Sequence, residues 1–396
     1  MRVLFLMFAF PDMDVSFNMY TALVEEFIKN GHDVSVVAPV NQQRKTEISI
    51  EKGISILRVK TLPIKNVGNI RKGIANLLLP YQYNRAINKH FRNKKFDLVV
   101  MPTPPITLVT LAAKIKNQNN ALLYLVLRDI FPQNAVDLGF MRKGGFIQRY
   151  FRKKERKLYK EADAIGCMSD GNIRYIMDHN KSILESKLEV LRNFQIKYDF
   201  SQNNNQIDKA VYDLEGKFVV VFGGNMGKAQ QLENVLELAK RCSVYPDVLF
   251  LLLGEGLAMQ RLETTINEQK ISNIKILRTI PKQKYQDLLG ICDIGLISLH
   301  QNFTIPNIPS KTLDYFNVGL PVLASVDKAT DYGSVLDNAN AGLWSDSGDI
   351  EALKHNFDKL YLNPELRKEM GSNGRKYFEQ FLTPDIAYLK ITSHLH

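Results

Sequence analysis

The chain has 396 residues, 45% of them hydrophobic and 23% charged, with a formal net charge of +11. These values are ordinary for a globular protein long enough to bury two full cores, and no run of about 18 apolar residues is present to form a membrane-spanning helix. Three widely spaced cysteines, Cys167, Cys242 and Cys292, without CxxC spacing, argue against a disulfide framework or a zinc site and fit a reduced, cytoplasmic interior.

The basic excess is confined to one half. Residues 1–200 hold 32 Lys or Arg against 18 Asp or Glu, net +14, whereas residues 201–396 hold 20 against 23, net −3. Such asymmetry suggests two domains with different partners, one of them an anionic surface or polymer.

Taken in order, residues 3–10 read as a first buried strand rather than a signal peptide, because PDMD follows directly and no small-residue cleavage site is present. A helix over about 19–30 and a strand over 34–38 follow. Residues 98–101, 108–116, 122–127 and 165–168 continue the alternation of strand and helix, which predicts a doubly wound parallel sheet. Ligands in such sheets sit beyond the carboxyl ends of the strands. That rule puts Asp12, Asp14, Thr103, Arg128 and Asp129 on one rim, where the first four are candidate acceptor-binding residues. Asp12 and Asp14 admit a second reading as caps of the next helix, and Asp129 one as a salt-bridge partner of Arg128.

Two basic stretches interrupt the pattern. Residues 70–96 carry Arg71, Lys72, Arg85, Lys89 and Arg92 around Leu77, Leu78 and Tyr81. Residues 140–160 hold nine Lys or Arg, including Arg149, Arg152, Lys153, Lys154, Arg156 and Lys157, among Phe146, Ile147, Tyr150 and Phe151. Basic residues interleaved with aromatic and aliphatic ones describe a helix in the interface of an anionic membrane; the alternative is a solvated face whose aromatics turn inward. Neither stretch forms a recognisable nucleic-acid-binding module, so nucleic acid is not expected as a partner.

The polar run at 197–205 marks a domain boundary, after which the alternation restarts. Residues 1–198 and 199–378 are thus expected to be two similar domains, with 379–396 a terminal helix returning to the first. In the second, residues 217–240 read as a buried strand, a turn with Gly223, Gly224 and Gly227, and a helix. A glycine turn before a helix start invites a phosphate, and Lys228 adds a charge, although the same arrangement occurs in many α/β proteins with no anion bound. A Walker A loop is excluded because Ala229 follows Gly227-Lys228. The first strand-to-helix turn contains no glycine, which excludes a dinucleotide fingerprint there.

GGNMGKAQQLENVLELA, FLLLGEG, ILRTIPKQKYQDLLGICDIGLISL, IPSKTLDYFNVGLPVLAS and GLWSDSGDIEAL, in this order, closely resemble the donor domain of glycosyltransferase family 4. The first half adds LVEEFIKNGHDVSVVAP, and LRDIFPQNAVDLGF looks like the subgroup that includes bacterial O-antigen and capsule N-acetyl-L-fucosamine transferases. The resemblance implies a GT-B fold, two Rossmann-like domains facing across a cleft. It also implies a retaining transferase that moves a sugar, such as an N-acetylated or deoxy hexosamine, from a UDP-sugar to a lipid-linked, undecaprenyl-type saccharide. The enzyme would work peripherally on the cytoplasmic face of the cell membrane, with no tightly bound cofactor or metal.

Residue by residue, the resemblance assigns the donor diphosphate to Gly224, Asn225, Gly227 and Lys228, with Lys228 stabilising the leaving group. Further N–H donors would come from Ser310, Lys311 and Thr312. Asp314 occupies the position of the second glutamate of an E-x7-E pair and would accept from the ribose. The first glutamate falls at Pro306, with Asn307 beside it. Arg278, Thr279 and Ile280 would meet the nucleobase, and Asp129 would lie near the donor sugar as a catalytic residue. Two other functions fit less well: a nucleotide-sugar 2-epimerase of the same architecture, against which the basic amphipathic stretches and PSKTLDY count, and a noncatalytic nucleotide-sugar-binding subunit.

Overall fold

The structure is a computed structural model that describes residues 1–40, 44–63, 68–199 and 209–395. It divides into two compact units, Met1–Ile196 with Pro384–His396, and Lys197–Thr383. The polar run at 197–205 lies outside the described residues from position 200 onward.

In the first unit, β1 (Arg2–Leu6), α1 (Met19–Lys29) and β2 (Asp33–Val40) are followed by β3 (Glu47–Glu51), β4 (Ile54–Lys60) and α2 (Asn69–His90). Then come β5 (Leu98–Pro102), α3 (Val109–Asn119), β6 (Leu122–Val126), α4 (Gln133–Asp137), α5 (Phe146–Glu161), β7 (Ala164–Cys167), α6 (Asp170–His179) and β8 (Leu188–Val190). The eight strands form one sheet in the order β3-β4-β2-β1-β5-β6-β7-β8, and β3 alone is antiparallel to its neighbour. The exception is a hairpin turning through Lys52 and Gly53, both at positive φ (45° and 78°), as a two-residue turn of primed type requires. Strands β1 and β5 are apolar at nearly every position because helices cover both faces of the sheet.

The second unit contains β9 (Phe218–Gly223), α7 (Glu233–Arg241), β10 (Val248–Leu253), α8 (Met259–Glu268), β11 (Ile274–Leu277) and α9 (Lys282–Leu289). Next are β12 (Ile294–Ser298), α10 (Lys311–Asn317), β13 (Val322–Val326), α11 (Tyr332–Ala339), β14 (Gly342–Asp346), α12 (Ile350–Leu362) and α13 (Pro364–Phe381). Its six strands are all parallel, in the order β11-β10-β9-β12-β13-β14. One core lies on each face of this sheet, the first including Tyr315, Phe316 and Tyr332 and the second Phe222, Phe250 and Phe357. The last helix, α14 (Pro384–Thr392), belongs to the first unit and packs on α1. There the Tyr388 and Phe27 rings meet at 4.9 Å and the Tyr388 hydroxyl lies 2.8 Å from His32 Nε2.

Both units are thus Rossmann-like, as the alternation predicts. One local expectation changes. The helix after the glycine turn does not begin beside Lys228, because residues 228–230 form a short 3-10 turn, Gln231 takes a left-handed φ of 38°, and α7 starts only at Glu233.

Candidate functional site

The central strand β9 ends in a turn packed between two others. Gly224 N–H donates to the Leu253 carbonyl at 2.8 Å, and Met226 N–H to that of Glu255 at 2.8 Å. Gly254, at φ 147°, approaches so closely that a Cβ there would lie 1.9 Å from the Gly224 carbonyl oxygen. Gly224 itself has φ 119°, and a Cβ at Gly227 would stand 2.8 Å from Asn225 Nδ2. Glycine is therefore required for the two strand ends to stack. Gly224, Asn225 and Lys228 are exposed at the rim.

Lys311, the first residue of α10, sends its side chain over this turn. A methyl on Gly224 would stand 3.4 Å from Lys311 Cε and 3.7 Å from its Nζ. The ammonium donates to Gln230 Oε1 at 2.6 Å and lies 4.6 Å from the centroid of the Phe222 ring. No described carboxylate pairs with it, so burial lowers its pKa to about 8, against a raising influence from Asp314. A largely buried cation with one neutral acceptor, beside an exposed glycine turn, is an arrangement that an anion completes. From the sequence, Lys311 enters only through its backbone N–H; its side chain is the stronger feature.

What holds α10 here is Tyr315. Its buried hydroxyl accepts from Gly223 N–H at 3.2 Å and donates toward the Val221 and Leu296 carbonyls at 3.2 and 3.1 Å. The remaining residues of this helix diverge in role. Ser310 is exposed, while the Thr312 side chain turns inward and shares a 2.7 Å hydrogen bond with Tyr332. The N–H of Thr312 already donates to Pro309 at 3.3 Å, leaving Ser310 and Lys311 at the open end. Asp314 forms an ion pair with Lys282, the first residue of α9, which sequence reasoning missed. Pro306 is buried, and the neighbouring Asn307 carbonyl accepts from Thr330 Oγ1 at 2.6 Å. After β11, Arg278 reaches Glu263 at 3.5 Å, Thr279 is exposed, and Ile280 packs half-buried on the core.

In the first unit, Asp129 follows β6, and its Oδ2 accepts from Asn134 Nδ2 at 2.5 Å. Burial raises its pKa to about 6, opposed by a hydrogen bond from the Ile130 N–H. It forms no salt bridge with Arg128, whose guanidinium donates to the Leu191 and Arg192 carbonyls at 2.6 and 3.2 Å. Thr103 is buried and accepts from Arg128 N–H at 3.1 Å. Neither Asp12 nor Asp14 caps α1, because Asn18 does so through the N–H groups of Tyr20 and Thr21. Asp14 instead accepts from Lys52 N–H at 3.1 Å in the β3–β4 turn, and Asp12 from Asp14 N–H at 3.1 Å.

On α5, Phe146 is 90% exposed, and Ile147 and Tyr150 are exposed beside it. Arg149, Lys153, Arg156 and Lys157 face solvent with no ion pair or side-chain hydrogen bond to described residues. Two expected surface cations turn inward: Arg152 pairs with buried Glu155, and Lys154 donates to Thr110 Oγ1 at 3.3 Å. Among the described residues no helix is long and apolar enough to cross a membrane, and no His, Cys, Asp and Glu cluster is placed to hold a metal ion.

Two Rossmann-like α/β units, each built on a mainly parallel sheet, match the GT-B fold of glycosyltransferases. Residues 204–377 match the family model described as glycosyl transferases group 1. With glycosyltransferase relatives on both sequence and fold, the chain is a glycosyltransferase, of EC class 2.4. It is 21% identical over 299 residues to the "Probable glycosyltransferase WbjE" of Pseudomonas aeruginosa, covering 74% of this chain and 72% of that protein. It is 26% identical over 231 residues to a chitobiosyldiphosphodolichol beta-mannosyltransferase of Dictyostelium discoideum, covering 55% of this chain and 40% of that one. WaaG, a glycosyltransferase involved in lipopolysaccharide biosynthesis, superposes with a TM-score of 0.70 at 17% identity, over 98% of this chain and 99% of its own. Anabaena HepE in complex with UDP-glucose superposes with a TM-score of 0.71 at 14% identity, over 100% and 99%.

Proposed function

We propose that the chain transfers a sugar from a UDP-sugar, held by the second unit, to a lipid-linked saccharide in the assembly of a surface polysaccharide such as a capsule or O-antigen. The observation that carries this reading is the Lys311 ammonium, buried without a carboxylate partner over the turn at Gly224. Cleaving a glycosyl phosphate builds charge on the departing diphosphate, and a cation already oriented in a partly desolvated site stabilises that charge without reorganising. Lys311 and exposed Lys228 thus share the leaving group, and Gly224, Asn225, Gly227 and Ser310 line it.

Asp314 accepts from the ribose hydroxyls once Lys282 shifts aside. Arg278, Thr279 and Ile280 receive the base. Asp129, its pKa raised by burial to about 6, holds or releases a proton on the sugar side. HepE was solved with UDP-glucose, which supports UDP as the nucleotide; WaaG is described as involved in lipopolysaccharide biosynthesis and the Dictyostelium relative is named a chitobiosyldiphosphodolichol beta-mannosyltransferase, which supports a lipid-linked acceptor. The reaction proceeds with retention, and an N-acetylated or deoxy hexosamine such as N-acetyl-L-fucosamine remains our donor sugar. The exposed face of α5 seats the enzyme on the cytoplasmic leaflet.

Calorimetric titration with UDP, GDP and dTDP tests the donor reading. Micromolar binding of UDP alone, lost in Lys311→Met, is expected; no binding of any nucleotide refutes it.

A further inference from the structure

Between α5 and α6 lies a cavity of about 530 Å³, large enough for a polar head group, lined by Pro132, Gln148, Arg149, Arg152, Lys153, Arg156, Tyr175 and His179. Glu155 is the one carboxylate on its wall, and it is already engaged by Arg152 and by the Tyr159 hydroxyl at 3.0 Å. Arg152 is also fixed from the other side, donating to the His179 carbonyl at 2.7 Å. The far wall is a parallel stack of the Tyr175 and His179 rings at 4.0 Å. His179 Nδ1 lies 2.9 Å from the Tyr175 carbonyl, which can only accept, so the proton sits on Nδ1. Arg149, Lys153 and Arg156 make no ion pair or side-chain hydrogen bond with a described residue. The cavity thus gathers three cations without an ion pair and one braced arginine around Glu155.

We infer that this α5–α6 cavity binds a phosphate or diphosphate group. Guanidinium forks match the geometry of phosphate oxygens, and a braced Arg152 loses little freedom when it adds a second acceptor. The site is separate from the donor turn, and it rests on the membrane reading of α5 only for the source of the phosphate. Exposed Phe146, Ile147 and Tyr150 on the same helix place apolar groups next to the cavity, as a lipid-borne phosphate would need.

The test is hydrogen exchange of the whole chain, followed at α5 and α6, with inorganic diphosphate. Diphosphate is expected to slow exchange at both helices, and Arg149→Gln/Arg156→Gln to weaken that protection roughly 25-fold, at about fivefold for each charge. Arg85→Gln/Lys89→Gln on α2, which removes equal charge elsewhere, is expected to leave it unchanged. Phosphatidic acid vesicles that displace diphosphate from α5 and α6 assign the site to a lipid head group. If they do not displace it, the site takes a soluble phosphate and the membrane reading of α5 falls while the cavity stands. No protection of α5 and α6 by diphosphate, or equal loss in the two double variants, overturns the inference.

Discussion

Lys282 and Asp314 face each other as an ion pair across the loops that follow β11 and β12, with the carboxylate only 15% exposed and the lysine 37%. The lysine also lies 5.6 Å above the Tyr285 ring, so its stem is packed even where its head is wet. The pair orients the Asp314 carboxylate. Hydrogen bonds from ribose hydroxyls to a carboxylate contribute about 1.5–3 kcal/mol. Asp314→Asn is accordingly expected to weaken UDP binding about tenfold or more, and 2′,3′-dideoxy-UDP to bind the wild type and the variant equally. A ribose preference that persists in Asp314→Asn places the ribose elsewhere.

Lys311 ties affinity to pH. Its pKa is lowered to about 8, so its charge, and with it the affinity for a diphosphate, is expected to fall as pH rises through 8. Stability moves the other way. Between pH 8 and the ordinary lysine range near 10.5 the unfolded chain holds more protons than the folded one, so this group's contribution rises with pH. Lys311→Met is expected to melt at a higher temperature than wild type at pH 7 and to lose about 1.5–3 kcal/mol of UDP binding. Calorimetry at pH 7 and pH 9 checks both, and a pH-independent wild-type affinity over that interval removes Lys311 from the diphosphate.

Much of this arrangement was open to sequence reading, and the part that was not has a common cause. Strands β9, β10 and β12 are short apolar runs because helices bury both their faces, so composition alone marks them. The β3–β4 hairpin went unread because one face alternates with polar residues and its Lys52-Gly53 turn lacks the usual Asn-Gly signal. Glycines 224 and 227 were legible as a turn, since their residue type states their backbone need. Lys282 was not, because its relation to Asp314 exists only once β11 and β12 lie on opposite sides of β9–β10. Nor could periodicity show that Arg152 and Lys154 turn inward while Lys153 and Lys157 do not, although the buried faces of α5 at Glu155, Leu158 and Tyr159 decide it.

Asp129 should leave its mark on the pH profile. Burial raises its pKa to about 6, so activity that needs the carboxylate is expected to fall below pH 6. Between the ordinary value of 3.8 and 6 the folded chain holds more protons, so this group's contribution to stability declines as pH rises through that window. Asp129→Asn, neutral at every pH, is expected to gain roughly 1–3 kcal/mol of stability at pH 7.5 and to lose the acid limb with most of the turnover. An unchanged acid limb in the variant assigns that ionisation to another group.

The α5 surface separates two kinds of lysine. Lys153→Gln is expected to weaken binding to phosphatidylglycerol vesicles by about 1 kcal/mol, the contribution of one charge near the surface. Lys154→Gln is expected to cost less, because Lys154 reaches inward to Thr110. Co-sedimentation at two salt concentrations reads both, and equal losses at positions 153 and 154 mean that only net charge matters.

Tyr315 links the strand end to the helix that carries Lys311. Its hydroxyl sits beneath Gly223, fully buried, where it accepts from that residue's backbone N–H at 3.2 Å. Removing it takes that acceptor away, and an unsatisfied buried N–H costs about 1–3 kcal/mol. Tyr315→Phe keeps the ring, and with it the packing against Gly295, where a Cβ would lie only 2.6 Å from the ring atoms. The variant is therefore expected to fold, to melt several degrees lower, and to bind UDP less tightly as α10 loses its anchor to β9. Because Tyr315 does not reach the anion, the variant should keep the wild-type fall in affinity between pH 7 and pH 9. A Tyr315→Phe protein with reduced stability but unaltered UDP affinity would separate the anchor from the cradle and leave Lys311 positioned by Gln230 and the Phe222 ring alone.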